Sequence, residues 1–137
     1  MSLPLSGFLI VEASSDDGPL ALRLATSLAG RVCADLGAEV IKLEPQDGDP
    51  VRRIPPLVGG VGATFVFLNA GKKSVTVAPR EHDSVLTNLF RRADAAIVDD
   101  RLAGQVGAGL PPVATVVSMF GDGIPADWSD TWSFRTP

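Results

Sequence analysis

The chain has 137 residues, 45% hydrophobic and 20% charged, with a formal net charge of −4 and a pI near 4.8, enough apolar material for one packed core. Lys and Arg gather into no basic patch, which argues against nucleic acid or an anionic membrane as partner. No apolar run reaches the roughly 20 residues that cross a bilayer. A single cysteine, Cys33, and a single histidine, His82, leave neither a disulfide framework nor a zinc set and make a reducing cytoplasm the natural setting.

Along the chain the hydrophobic period switches repeatedly. Phe8–Leu9–Ile10–Val11 is a short apolar run between Gly7 and Ser14, which suits a strand covered on both faces. From Leu20 onward, Leu24, Leu28, Val32 and Leu36 recur every four residues, flanked by Ala21, Ala25, Ala29 and Cys33. That spacing predicts a helix whose core face carries this stripe, with Arg23, Ser27, Arg31 and Asp35 outside it. Pro19 fits its first turn and Gly37 its stop. Glu39 to Leu43 reads as a second strand and Val75 to Val77 as a third. Val85, Leu86, Leu89, Phe90 and Ala93 mark a second helix opened by Pro79. Ala95 to Val98 and Val113 to Val117 complete five strands.

Strands alternating with helices imply right-handed crossovers, hence an α/β fold: a Rossmann-like, doubly wound, mostly parallel sheet of about five strands with flanking helices. Residues 1–125 form this unit. Residues 126–137, with Trp128, Trp132 and Phe134, read as a tail leading toward further structure. The stretch from Glu44 to Gly62 is rich in Pro and Gly and has no period.

In such sheets ligands sit beyond the carboxyl ends of the strands. The first of those loops, Ser14–Ser15–Asp16–Asp17–Gly18, lacks Gly-x-Gly-x-x-Gly and carries two carboxylates, so it is a poor cradle for a pyrophosphate. Glu44 ends the second strand, where a ribose-binding acid would stand, which keeps a nicotinamide-dependent oxidoreductase as the lesser alternative. Gly59–Gly60–Val61–Gly62 has no Lys-Ser/Thr after it and is no P-loop. His82 beside Glu81 reads as a solvated residue near a helix start, and Cys33 as a small core hydrophobe. The pairs Arg52–Arg53 and Lys72–Lys73 are either solvated loop charges or phosphate ligands.

Two strings carry a resemblance. Ala34-Asp35-Leu36-Gly37-Ala38-Glu39-Val40-Ile41-Lys42-Leu43-Glu44-Pro45, followed by Gly48-Asp49-Pro50-Val51-Arg52, resembles "LADLGAEVIKVE-P-GD-R". Phe67-Leu68-Asn69-Ala70-Gly71-Lys72-Lys73-Ser74-Val75 resembles "LNRGKRSV". Both belong to the class III CoA-transferase family, the CaiB/BaiF group of formyl-CoA transferases, carnitine CoA-transferases and α-methylacyl-CoA racemases. Pro4 to Glu12, Ala93–Asp94 and Pro112 to Ser118 extend the likeness over most of the chain. Gly37 and Ala38 make the first string a folding signature.

The resemblance implies coenzyme A or an acyl-CoA as substrate, with no tightly bound cofactor. It places Leu68, Asn69 and Lys72 along the nucleotide end of CoA; successive side chains before the third strand point to opposite faces, so with Lys72 facing the ligand Lys73 is expected to turn away. Arg52 matches the arginine after the "GD" motif, which is either structural or lines the same cleft, and Arg101 substitutes loosely for a basic residue of the family's "EN-RPG" segment. Pro45 and Gln46 depart from the family, which often has Arg after the strand-two Glu. The family's catalytic Asp is expected further along than Pro137, so no catalytic residue is assigned. The chain is expected to bind CoA without turning it over, as a fragment, a truncated form or a stand-alone half. Full-length members are homodimers, and a non-catalytic CoA-binding or assembly module that needs a partner chain is the other reading.

Overall fold

A computed structural model describes residues 2–78 and 82–117. Its elements in chain order are β1 (Leu9–Ala13), α1 (Leu20–Asp35), β2 (Glu39–Pro45), a 3-10 turn (Pro50–Arg53), β3 (Leu57–Val58), β4 (Val61–Gly62), α2 (Ala63–Asn69), β5 (Lys73–Val77), α3 (His82–Arg92), β6 (Ala95–Asp99), α4 (Asp100–Val106), a second 3-10 turn (Gly107–Gly109) and β7 (Val113–Val117). Five strands form one parallel sheet in the order β5-β2-β1-β6-β7. That is the expected doubly wound arrangement, with the chain reversing direction between β1 and β6. β3 and β4 pair antiparallel as a separate hairpin, with Gly59 and Gly60 both at positive φ in its turn. This hairpin, the first 3-10 turn, and helices α2 and α4 are elements that hydrophobic period does not reveal.

The two faces of the sheet are built differently. On one, Val11, Ala13, Leu43, Val77, Ala96 and Val98 meet Leu86 and Phe90 of α3 and Leu102 of α4, so α3 buries the face its spacing predicts. On the other, Ile10, Val40 and Ile97 pack with Ala29, Cys33 and Ala34 of α1. Toward the carboxyl ends of the strands this second face turns charged, with buried Glu12, Lys42, Glu44 and Asp99.

That change of character overturns the expected orientation of α1. The helix buries Leu22, Arg23, Thr26, Ser27 and Gly30, while Leu28 is 50% and Val32 51% exposed, and Leu20 and Leu36 are exposed as well. The leucine stripe is therefore not the core face. Strand carboxylates and ammonium groups held away from water need polar partners, and α1 meets that need with Arg23 and Ser27. Gly37 does end α1 as expected: it has φ +97°, and the Gly37 and Ala38 amides donate to the carbonyls of Ala34 and Cys33. Pro79 and the segment 126–137 lie outside the described residues.

Candidate functional site

The charged layer beneath α1 centres on Glu12 of β1, which is fully buried. Its Oε1 accepts from Lys42 Nζ at 2.8 Å and from Ser27 Oγ at 3.1 Å. Its Oε2 accepts from Lys72 Nζ at 2.5 Å. Lys42 reaches on to Asp49 Oδ2 at 2.9 Å, and Arg23 approaches the same oxygen at 3.9 Å. α1 can lie this close only because residue 30 is glycine; a Cβ there would collide with the Glu12 carboxylate.

Lys72 spends its donors internally. Besides Glu12, its ammonium donates to the Ser27 carbonyl at 2.7 Å and to Asn69 Oδ1 at 3.0 Å. An ammonium has three donors, so none is left, and the side chain is 1% exposed. Burial pulls the Lys72 pKa below its ordinary value against the attraction of Glu12, with Lys42 and Arg31 repelling the charge. Burial would lower Lys42 too, yet its pKa is raised, because Glu12 and Asp49 both attract its charge.

The Asn69–Lys72 segment is a type II turn. Ala70 has φ −59° and ψ 137°, Gly71 has φ +79°, and the Lys72 amide donates to the Asn69 carbonyl at 3.2 Å. Gly71 is thus required by the turn itself. Asn69 also donates from Nδ2 to the Phe65 carbonyl at 3.0 Å, which ties the turn to the end of α2.

A second set of contacts surrounds Glu44 at the end of β2. Arg52 binds it with both forks, Nε to Oε2 and NH2 to Oε1, each at 2.7 Å. Ser74 Oγ donates at 2.6 Å and the Asp49 amide at 2.8 Å. Burial alone would raise the Glu44 pKa; the hydrogen bonds from Arg52, Ser74 and Asp49 outweigh it and bring the value to about 2. The Arg52 pKa is raised by the Glu44 hydrogen bonds, and its guanidinium stacks 3.9 Å from the Phe65 ring centroid. The loop between is shaped for this. Gly48 turns at φ +78°, and Asp49 Oδ1 accepts from the Val51 amide at 2.9 Å, capping the 3-10 turn that carries Arg52.

Between these two sets opens a pocket of about 170 Å³, lined by Lys42, Glu44, Arg52, Phe65, Asn69, Lys72, Lys73 and Ser74. It brings together three of the residues expected to meet CoA, Arg52, Asn69 and Lys72, with Glu44 and Lys73 beside them. Leu68 is buried in α2 and holds that helix in place. Lys73 lies on the opposite side of β5 from Ser74 and pairs with Glu39 at 2.8 Å. Arg101 belongs elsewhere. It sits at the start of α4 and contacts Asp17 at 3.2 Å across the β1–β6 crevice. In that crevice Asp99 Oδ2 accepts from the Ser15 amide at 2.6 Å and hydroxyl at 2.9 Å. Glu12, Lys42, Ser27 and Ser74 were missed by sequence reasoning. A Glu and a Lys inside two apolar strand runs were the signal, since buried charges come in pairs.

Cys33 is half-buried and unpaired, with its thiol pKa pushed up mainly by burial, as a core cysteine requires. His82 is the first residue of α3. Among the described residues no helix is long and apolar enough to cross a membrane, and no group of His, Cys, Asp and Glu could hold a metal ion.

The likeness to known proteins follows the same elements. The chain is similar to a probable CoA-transferase of Mycobacterium tuberculosis, 38% identical over 84 residues, covering 61% of this chain and 11% of that protein. It is 34% identical over 117 residues to the succinate–glutarate CoA-transferase of Agrobacterium fabrum, covering 78% of this chain and 28% of the relative. The crystal structure of a CaiB/BaiF family protein from Brucella suis superposes with a TM-score of 0.71 at 30% identity, over 91% of this chain and 36% of that one. The chain thus spans little more than a quarter of these curated relatives at most. The model of CoA-transferase family III matches residues 5–107, which hold the sheet through β6, the Glu44–Arg52 loop and the Asn69–Lys72 turn, and the chain belongs to that family.

Proposed function

We propose that this chain supplies the CoA-binding part of a protein that transfers CoA between carboxylic acids, with racemisation at an acyl-CoA as the other chemistry of the family. The observation that carries the reading is the pocket itself. Lys42 of β2, Arg52 of the 3-10 turn, and Lys72 and Lys73 at the start of β5 line it beside one carboxylate, Glu44, which Arg52 binds with two of its five N–H groups. An acidic chain that gathers cations in one cleft is suited to an anionic ligand, and the phosphates of CoA are such a ligand. The buried Phe65 ring backs the Arg52 guanidinium and holds its plane toward the pocket. CoA thioester is here the substrate, not a resident cofactor.

Calorimetric titration of the chain with CoA and, separately, with NAD at one salt concentration tests the reading. Saturable CoA binding with no response to NAD is expected. Preference for NAD, or no binding of CoA, would contradict it.

A further inference from the structure

Among the described cations of the pocket lining, Lys73 is 67% exposed and pairs with Glu39, and of the three more enclosed ones, Lys42, Arg52 and Lys72, one is built to meet a ligand. Lys72 has three donors and three internal acceptors, and is 1% exposed. To bind an anion it would have to release one of these three partners and leave a buried position. Lys42 is shut in between Glu12 and Asp49. Arg52 differs on both counts. Its side chain is 35% exposed, and its bonds to Glu44 use two N–H groups of the five that a guanidinium carries. The remaining three belong to the two terminal nitrogens, whose geometry suits a phosphate.

We infer that Arg52 is the cation that meets a phosphate group of the ligand, that Glu44 is the positioning residue that aims it, and that Lys72 is a brace. Glu44 is suited to its part because its two oxygens accept four hydrogen bonds, so it fixes the guanidinium plane rather than floating with it. Phe65 holds the same plane from its face. The brace works by tying the Asn69–Lys72 turn to β1 and α1, which keeps the far wall of the pocket in register with Arg52. This assignment rests on the CoA reading above and deepens it, because it reverses the rank that sequence resemblance gave Lys72.

The test is CoA affinity of wild type, Arg52→Gln, Lys72→Met, Glu44→Gln and the Glu44→Gln/Arg52→Gln double variant, by calorimetry at one salt concentration and corrected for folded fraction. Arg52→Gln is expected to weaken CoA about 10- to 100-fold, and to leave pantetheine, which lacks the nucleotide, unaffected. Lys72→Met, which loosens the brace, should lose less CoA affinity than Arg52→Gln and should lower the denaturant midpoint instead. The loss from Glu44→Gln should vanish in the Arg52→Gln background, which a merely structural role would not produce. Should Lys72→Met not fold, nitrogen chemical shifts of wild type titrated with CoA serve instead. Arg52 Nε is expected to move and Lys72 Nζ to stay. If wild type binds CoA while Arg52→Gln binds equally well, or if the Lys72 signal moves and that of Arg52 does not, the assignment is overturned. Absence of CoA binding by wild type would overturn the CoA reading, and this assignment with it.

Discussion

The two faces of the central sheet contrast in what holds them. Beneath α3 and α4 the contacts are apolar throughout, from Val11 and Val98 in the strands to Phe90 and Leu102 in the helices. Beneath α1, the contact begins apolar at Ile10, Val40 and Ile97 and ends in a lattice of ions running from Arg23 through Asp49, Lys42 and Glu12 to Lys72. An apolar face tolerates reshaping by volume. An ionic face is directional, so removing one member leaves the others charged, buried and unpaired.

The largest effects should come from the centre of each face. Glu12→Ala takes the only carboxylate from Lys72 and one of two from Lys42, and should cost about 3–5 kcal/mol in a denaturant melt. Phe90→Ala, 1% exposed on the apolar face, should cost about as much through its cavity, roughly 3–5 kcal/mol. The faces separate on repair. Replacing Phe90 by Leu should recover part of the loss, whereas Glu12→Leu should not, since it leaves Lys72 without a carboxylate and Lys42 with Asp49 alone.

A middle-sized effect is expected at Gly30. Alanine is the better helix former, yet its Cβ would press on the Glu12 carboxylate and on Lys72 Nζ. The expected net result in the same melt is a loss of about 1–3 kcal/mol. A gain in stability would show that α1 stands further from the sheet than described.

Acid should act on the ionic face. Glu44 has a folded pKa of about 2 against an ordinary 4.5, so the unfolded chain binds the extra proton first as pH falls. The stability it contributes is present above 4.5 and is lost as pH drops toward 2. Melts of wild type and Glu44→Gln across this window should converge as pH falls. A constant gap between them would mean that the carboxylate is not held ionised by Arg52 and Ser74.

Fold and site were legible to different degrees, and for physical reasons. Strand runs such as Ile10–Val11 and Ala96–Val98, and the i, i+4 spacing in α3, report burial directly, so the five strands and their doubly wound class follow from the sequence, while their order comes from the structure. The stripe in α1 uses the same code and misleads. Side-chain period tells which residues share a helix face, not which face meets the sheet, and here Glu12 and Lys42 on the strands decide. The Asn69–Lys72 turn was visible as a motif, but its glycine serves a type II turn and its lysine turns inward. Only the three acceptors around Nζ, drawn from β1, α1 and α2, reveal that. The hairpin at Leu57–Gly62 and helix α2 are too short for periodicity to register.

The smallest effect expected is also part of the most direct test of how α1 docks. Leu22 is 2% exposed and Leu28 50% exposed, and six residues place them on different sides of one helix. Leu→Ala at each position removes the same atoms from the same element. Denaturant melts should give a loss of about 2–5 kcal/mol for Leu22→Ala and below about 1 kcal/mol for Leu28→Ala. Equal losses, or a larger one at Leu28, would put the leucine stripe against the sheet and contradict a helix docked by its polar edge on Glu12 and Lys42.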